Sequence, residues 1–228
     1  MTADDPNLRQ TLSQAAAQMG VPLTEAHNTA LLAYMALIQK WNKVYNLTAL
    51  RDAPAMLTHH LLDSLAVIAP LQRQLQALHP AMQSSSERIR LLDVGSGAGL
   101  PGVVIAILCP EIRVDCVDTV AKKASFIQQV ALSLKLPNLR GVHARVENLT
   151  DKYQVVSSRA FASLVDFTTW SVNALAEQGV WMAMKGRHPV DEMAALPATV
   201  SVFHVEQLEV PGLRAERCIV WMRPVVAG

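Results

Sequence analysis

The sequence has few of the features that mark extracellular or membrane-bound proteins. Its 228 residues include only three cysteines, Cys109, Cys116 and Cys218, and none of them forms a C-x-x-C pair. Isolated thiols of this kind predict buried, reduced side chains rather than disulfides or a zinc site. No apolar run approaches the roughly 20 residues needed to cross a bilayer, and the polar start of the chain lacks the parts of a signal peptide. We therefore expect a cytoplasmic protein with no membrane partner.

Net charge is also low in this chain. Lysine and arginine number 20 and aspartate and glutamate 19, for a formal net charge of +1. A protein with this balance does not hold nucleic acid by overall attraction, so any such binding has to come from a local patch of cations. The length and the 51% hydrophobic content suit one α/β domain of ordinary size with an extension.

The most informative stretch is residues 91–108, where an apolar run breaks into closely spaced glycines and then resumes. This pattern predicts a strand, a glycine loop and a helix. Glycines let the backbone turn sharply and let a ligand lie against main-chain amides, and the positive end of the helix points toward that ligand. We expect a nucleotide-like ligand at this loop.

Two spacings overlap within the loop. Gly97, Gly99 and Gly102 match the dinucleotide pattern G-x-G-x-x-G, which leaves an NAD-dependent oxidoreductase open. Asp93 followed by Gly95, Gly97 and Gly99 is the form seen in methyltransferases that use S-adenosylmethionine (SAM). A carboxylate at the end of the strand would attract an ammonium group, directly or through water, but would repel a pyrophosphate. Because SAM carries an ammonium group and no phosphate, the second spacing favours SAM.

The rest of the chain predicts a helical region followed by an α/β domain. Apolar residues at helical spacing fill residues 1–79, a polar, structure-breaking stretch predicts a linker at 80–88, and residues 89–228 form the second domain. Strands are predicted at 112–118, 139–144, 153–159 and 179–185, with helices at about 120–136 and 163–177. Two runs that flank Pro211 and Gly212 predict a closing hairpin. We expect a mostly parallel sheet with an antiparallel edge strand.

Polar residues follow successive strands at the carboxyl edge of this sheet, the usual place for ligands in open α/β folds. Asp118 is placed to accept both ribose hydroxyls, or to cap the next helix. Residues 144–148 could read the edge of an adenine. Arg159 ends another strand, although an ordinary surface ion pair would also explain it. Lys185 and Arg187 add two cations beside the same cleft.

Two features of the helical region leave alternatives open. Residues 41–48 interleave polar and aromatic side chains, which suits either a loop that joins two helices or a surface for RNA or a cofactor. His59 and His60 are adjacent, so they cannot share one face of a helix. We therefore expect no metal ligation here and assign one of the two histidines to packing.

Six segments in order resemble the bacterial small-subunit ribosomal RNA guanine-N7 methyltransferases, the RsmG or GidB family. The resemblance covers nearly the whole chain. The segments are Trp-Asn-Lys-Val-Tyr-Asn-Leu-Thr at 41–48, His-Leu-Leu-Asp-Ser at 60–64, Asp-Val-Gly-Ser-Gly-Ala-Gly-Leu-Pro-Gly at 93–102, Arg-Val-Glu at 145–147, Ser-Arg-Ala-Phe-Ala at 158–162 and Met-Lys-Gly at 184–186.

The resemblance implies a class I SAM-dependent methyltransferase fold, Rossmann-like, with an N-terminal helical extension. It implies methyl transfer from SAM to N7 of guanine 527 in 16S rRNA, with the rRNA or the small ribosomal subunit as partner. By matching motif, the cofactor contacts fall on Gly95, Leu100, Val146, Glu147 and Arg159. The arguments from the loop and the ribose add Asp93, Gly97 and Asp118 to this cofactor set.

A local basic surface is expected to bind the RNA phosphates, because the chain as a whole is nearly neutral. Its predicted members are Lys43, Arg51, Arg145, Lys185 and Arg187. Guanine N7 carries a free lone pair, so no catalytic general base is expected. We expect a monomer without a metal ion, and an NAD-dependent oxidoreductase or a non-catalytic RNA-binding factor remain as alternatives.

Overall fold

A computed structural model describes residues 5–82 and 88–225. The amino-terminal part is helical, as its apolar spacing predicts. Asp5, Thr24 and Asp52 each cap a helix by accepting a backbone N–H with the side chain. The helices are α1 (Pro6–Gln18), α2 (Glu25–Tyr45), α3 (Ala53–Met56), which continues through a π-helical segment (Leu57–Leu62) into α4 (Asp63–Leu65), and α5 (Ile68–Met82). Thus residues 80–82 of the predicted linker are helical, and residues 83–87 of it lie outside the described residues.

Within residues 88–225, a seven-stranded sheet has the order β3-β2-β1-β4-β5-β7-β6. The first five of these strands are parallel, whereas β7 is antiparallel to both of its neighbours. The predicted mostly parallel sheet and its closing hairpin are confirmed, and β6 forms the edge. The strands are β1 (Arg90–Val94), β2 (Arg113–Asp118), β3 (Leu139–His143), β4 (Tyr153–Arg159), β5 (Leu175–Lys185), β6 (Val200–Leu208) and β7 (Arg217–Pro224).

Four more helices connect the strands: α6 (Gly102–Leu108), α7 (Ala121–Ser133), α8 (Leu164–Ser171) and α9 (Val190–Ala194). The helix predicted at 163–177 is too long, because α8 ends at Ser171 and a 3-10 turn leads directly into β5 at Leu175. The extra residues before Val180 are accommodated by a register shift in the pairing of β5 with β4.

The helical region shares one hydrophobic core with a face of the sheet. Leu31 and Ile38 of α2 and Leu61 of the π-helical segment are fully buried in the same cluster as Val104 of α6 and Ile127 of α7. This packing holds α2 and the π-helical segment against the carboxyl edge of the sheet. The division at residues 79–88 into two domains stays a prediction.

The cysteine prediction is confirmed, since Cys109, Cys116 and Cys218 are all buried free thiols. Among residues 5–82 and 88–225, no helix combines the length and the apolar character that a membrane span requires.

Candidate functional site

The glycine loop between β1 and α6 has a backbone that only glycine adopts readily. Gly95, Gly97 and Gly99 have φ angles of 64°, 59° and 94°. The N–H of Gly95 donates to the carbonyl of Val117 at 2.9 Å, which ties the turn to the end of β2. A Cβ atom at Gly95 would lie 2.3 Å from a ring carbon of Phe161, whereas one at Gly97 would meet only the Gly95 carbonyl, at 4.0 Å. The loop therefore leaves open space above Gly97.

Asp93 lies beneath this loop. Its carboxylate is fully buried and accepts the N–H of Gly102 at 2.9 Å and the hydroxyl of Ser157 at 3.0 Å. Burial raises the pKa of Asp93 to about 6. This placement differs from the expected contact with an ammonium group, because both oxygens point to protein donors in the interior. Asp93 fixes the start of α6 from below and does not line either of the two cavities described next.

Asp118 joins the glycine loop to the start of α7. One of its carboxylate oxygens accepts the N–H of Gly97 at 3.1 Å, and the other accepts the N–H of Val120 at 2.9 Å. Lys123 lies 3.4 Å away as an ion-pair partner. The second bond reaches the residue that precedes α7, and no side chain caps that helix, so Asp118 ties the loop to the entry of α7 without capping it. Each carboxylate oxygen keeps a second lone pair, so ribose binding stays a prediction.

A cavity of about 360 Å³ lies beside Asp118 at the ends of β2 and β3. Val146 and Glu147, in a 3-10 turn after β3, form one wall. The rings of Phe161 and Trp170 form another, and they meet edge to face with centroids 5.9 Å apart. The cavity is partly aromatic and large enough for a planar base with an attached sugar. We refer to it as the adenosine-side cavity.

A second cavity, of about 490 Å³, lies on the other side of Gly95 and Ala160, which line both. Gly97 and Leu100 form part of its wall, as the cofactor prediction expects. The ring of Phe161 lies against Gly95 at the boundary between the two cavities. We refer to the second space as the transfer-side cavity.

Asp63, buried at the end of the π-helical segment, organises the cations of the transfer-side cavity. It accepts a hydrogen bond from Arg159 at 2.9 Å and one from Arg217 at 2.8 Å. Arg159 also donates to the carbonyl of His59 at 3.0 Å. Both arginine side chains are about four-fifths buried, and both line the cavity. A carboxylate thus holds two arginines from β4 and β7 in fixed positions at the cavity wall.

His60 is the packing histidine that the sequence predicts. It is 8% exposed, and its Nε2 atom lies 2.8 Å from the hydroxyl of Thr48. Burial, followed by the charge of Arg159, lowers the pKa of His60 to about 4, so the ring is neutral at neutral pH. Its buried Nδ1 has no partner among the described protein atoms. His59 is exposed at the mouth of the same cavity.

The five predicted RNA-binding cations lie in different surroundings. Arg51 donates to the Asn42 carbonyl and to the Asn46 side chain, so it binds acceptors at the carboxyl end of α2. The ammonium of Lys185 donates to the Ala162 carbonyl at 2.8 Å and pairs with Glu192 at 2.7 Å. Both stay predicted RNA-binding residues, although internal acceptors already hold the two side chains. Arg51 is exposed, as are Lys43, Arg145 and Arg187, and Arg145 lines the adenosine-side cavity.

Sequence reasoning gave no role to Asp63, Arg217 or Phe161. Asp63 lies in the family segment at 60–64 and Phe161 in the one at 158–162. Membership of these segments was the sequence signal that could have pointed to both residues. Arg217 lies in the hairpin, 154 residues from its partner, and no local pattern indicates that contact. Within the part of the chain that the structure describes, no group of three or more His, Cys, Asp or Glu side chains is arranged to hold a metal ion.

The fold is that of the class I methyltransferases. TrmN from Thermus thermophilus superposes with a TM-score of 0.52 at 17% identity, over 74% of this chain and 53% of that one. Coclaurine N-methyltransferase superposes with a TM-score of 0.53 at 13% identity, over 91% of this chain and 74% of that one. At these identities the likeness shows the architecture alone.

Relatives of high identity show the family. The family model described as rRNA small subunit methyltransferase G (GidB) matches residues 27–220. A protein of Polaromonas naphthalenivorans (strain CJ2) with the name Ribosomal RNA small subunit methyltransferase G is 61% identical over 225 residues, 99% of this chain and 100% of that protein. One of the same name from Acidovorax sp. (strain JS42) is 64% identical over 223 residues, 96% of each. The chain belongs to the GidB family, which confirms the resemblance.

Proposed function

We propose that this protein transfers the methyl group of SAM to N7 of guanine 527 in 16S rRNA. The observation that carries the proposal is the position of the glycine loop, at the meeting point of two cavities that share Gly95 and Ala160. One cavity is large enough for a nucleoside, and the other has cations in its wall. Family membership supports SAM as the methyl donor and small-subunit rRNA as the substrate.

The residues around the loop fit the cofactor. Open space above Gly97 leaves room against the main chain, and Asp118 stands at the end of β2 with free lone pairs. Val146 and Glu147 would face the adenine of SAM, and Leu100 would line the space for the rest of the cofactor. SAM, when bound, supplies an electrophilic methyl group carried on a sulfonium.

The transfer-side cavity is equipped to position a nucleotide without removing a proton. N7 of guanine has a free lone pair, so its attack on a methyl group releases no proton. Both oxygens of Asp63 are held by arginines, and His60 is neutral with Nε2 bound to Thr48. Arg159 stays assigned to the cofactor by the matching motif, and Arg217 would orient a phosphate of the target nucleotide, which aligns N7 with the methyl group. No residue is assigned the role of a general base.

The finer partner and location assignments belong to the same proposal. We propose that the protein acts as a monomer in the cytoplasm, on 16S rRNA or the small ribosomal subunit. The two alternatives, an NAD-dependent oxidoreductase and a non-catalytic RNA-binding factor, are not favoured, because the chain belongs to a methyltransferase family over most of its length.

One experiment tests the proposed function directly. Ribosomal RNA from cells with and without the gene is digested with nuclease, and the fragments are analysed by mass spectrometry. We expect one 7-methylguanosine, at position 527, to be lost with the gene and restored by the purified protein with SAM. An unchanged modification pattern, or a methyl group on another atom of the base, would overturn the proposal.

A further inference from the structure

A third cavity, of about 680 Å³, lies at the opposite end of the sheet from the glycine loop. Four arginines line it: Arg88 just before β1, Arg90 and Arg113 at the first positions of β1 and β2, and Arg140 at the second position of β3. Parallel strands begin at one common edge, which is why the chain brings these residues together. We refer to this space as the arginine cavity.

The cations of the arginine cavity are only partly neutralised. Asp115 accepts from Arg140 at 2.6 Å and lies 3.5 Å from Arg90. Asp151 lies 3.2 Å from Arg90 and 3.3 Å from Arg140. Two carboxylates thus serve two of the arginines. In residues 5–82 and 88–225, no carboxylate lies within 4.0 Å of the Arg113 side chain, which is exposed.

The register of the sheet makes this arrangement costly without an anion. Arg90 and Arg113 are direct neighbours across β1 and β2. Like charges placed side by side on adjacent strands destabilise a sheet. The Nε atom of Arg90 is also buried with no acceptor among the described atoms, while its guanidinium lies 4.7 Å above the ring of Tyr153. A bound anion would relieve the repulsion between the two arginines.

We propose that the arginine cavity binds phosphodiester groups of the RNA substrate, at a site separate from methyl transfer. This inference rests on the proposed function for the choice of RNA. Arg113 and Asp118 mark the two ends of β2, and five steps along a strand span about 17 Å. A folded RNA that presents its guanine at one edge of the sheet could reach the other edge with a second backbone segment. Cations at both edges of the sheet would then bind the RNA, as a nearly neutral chain requires.

The test compares Arg88→Gln with Arg113→Gln, singly and together, against Arg73→Gln as the control. Arg73 is an exposed arginine on α5 that pairs with Glu206, away from any cavity used here. The affinity for a full-length 16S rRNA transcript is measured as a function of salt. We expect the double variant to bind more weakly and its salt slope to fall by about 1.5 units, near 0.7–0.9 per lost phosphate contact. SAM affinity should match that of the wild type.

Thermal unfolding of the same variants without RNA separates binding from structure. If Arg113 serves a ligand, Arg113→Gln should melt at or above the wild-type temperature, because a repulsive neighbour of Arg90 is gone. A lower melting temperature would show that Arg113 supports the fold, and it would overturn the inference. An unchanged salt slope, or an equal loss in Arg73→Gln, would overturn it as well. If the wild type methylates 16S rRNA while the variants bind as it does, only this inference fails; absence of methylation by the wild type refutes the proposed function instead.

Discussion

Asp63 and Asp115 are two buried aspartates at opposite ends of the molecule, and each is held by a pair of arginines. Asp63 lies where the π-helical segment meets the carboxyl edge, and its partners Arg159 and Arg217 come from strands 96 and 154 residues away. All three side chains line the transfer-side cavity. This group is therefore assembled at the place where a substrate has to be held.

Asp115 lies inside the sheet instead. It is fully buried in β2 and accepts from Arg140 at 2.6 Å and from the hydroxyl of Tyr153 at 2.8 Å. With Arg90 at 3.5 Å, the group connects four neighbouring strands. Each aspartate thus holds two arginines, but Asp63 joins the helical region to two strands at the transfer-side cavity, whereas Asp115 joins neighbouring strands inside the sheet. Their variants should differ accordingly.

The largest effect is expected for Asp115→Asn. The change removes the carboxylate that accepts from Arg140 and from the buried Tyr153 hydroxyl. Loss of one partner from a buried ion pair costs about 3–5 kcal/mol of unfolding free energy, an upper bound here because Asp151 still pairs with both arginines. Urea denaturation measures it. Asp151→Asn is the matched control, because Asp151 contacts the same arginines from an exposed position and should cost at most about 1 kcal/mol. Equal losses of unfolding free energy in the two variants would show that the buried Asp115 contributes no more to stability than the exposed Asp151.

Asp63→Asn should reduce turnover more than stability. Asp115 also accepts the hydroxyl of the fully buried Tyr153, whereas the bonds to Asp63 come from two arginines at a cavity wall, so we expect a smaller loss of stability than for Asp115→Asn. Misplacement of positioning groups by about 1 Å can cost about 100-fold in rate, so kcat/KM for rRNA should fall by about that factor. Calorimetry should find SAM binding weakened by a smaller factor, because Arg159 is one of several predicted cofactor contacts. Wild-type kcat/KM in this variant would show that the two arginines need no carboxylate to hold their positions.

The features at the carboxyl edge differ in how far they could be predicted from the sequence. The glycine loop, Asp118 and the strand ends follow from patterns that span at most about 25 residues, and the structure places them at one edge as expected. Such features depend on local backbone chemistry, which sequence reveals. The Asp63 group depends on contacts between residues about 100 to 150 positions apart, which single-sequence periodicity does not encode.

Burial and internal acceptors were the other features that the sequence did not show. Asp93 ends a predicted strand, but only its register against β4 puts Ser157 beside it and turns both oxygens inward. Lys185 and Arg51 look like surface cations in the sequence, yet the ends of neighbouring elements supply carbonyl acceptors for them. The sequence shows the charge of each of these residues, whereas tertiary packing determines its hydrogen-bond partners.

At the carboxyl edge, Gly95→Ala tests how far cofactor binding depends on the backbone of the loop. The new Cβ would lie 2.3 Å from the Phe161 ring and would force a non-glycine residue into a φ of 64°. We expect SAM affinity to fall by at least about tenfold, or 1.4 kcal/mol, in calorimetry. Gly20→Ala is the control, since Gly20 has a φ of 73° with nothing within 4 Å. It should strain the backbone and leave SAM affinity unchanged; a similar loss in both would point to general destabilisation.

The pH dependence of the unfolding free energy should reveal two groups at the carboxyl edge whose titrations change stability in opposite directions. The folded pKa of Asp93 is raised to about 6, so its stabilising contribution is present at low pH and is lost as pH rises through 6. The folded pKa of His60 is lowered to about 4, so acidification below its ordinary value favours the unfolded state. Between about pH 4 and 6 the two effects oppose each other, each with a slope of up to about 1.4 kcal/mol per pH unit.

Asp93→Asn removes the gain in stability that protonation of Asp93 gives on acidification, and it keeps the shape of the side chain. Urea denaturation at pH 6.5, 5.5 and 4.5 should show a steeper loss of stability on acidification than in the wild type. His60→Gln should show a shallower one. Parallel stability curves for the wild type and both variants would mean that neither group titrates differently in the folded and unfolded states.

The smallest effect is expected for the pH dependence of methyl transfer. N7 attacks through a lone pair that is free at neutral pH, both oxygens of Asp63 are held by arginines, and His60 stays neutral above its pKa of about 4. Under single-turnover conditions with saturating 16S rRNA and SAM, the rate should therefore be nearly flat between about pH 6 and 9, where a general base would give a tenfold rise per unit below its pKa. Asp63→Asn should lower the whole profile without changing its shape, because it displaces the arginines and removes no proton acceptor. An ascending limb of unit slope that disappears on replacement of Asp63, Asp118, Glu147 or His60, with both substrates still bound, would show that a base operates and that the acceptor atom is not N7.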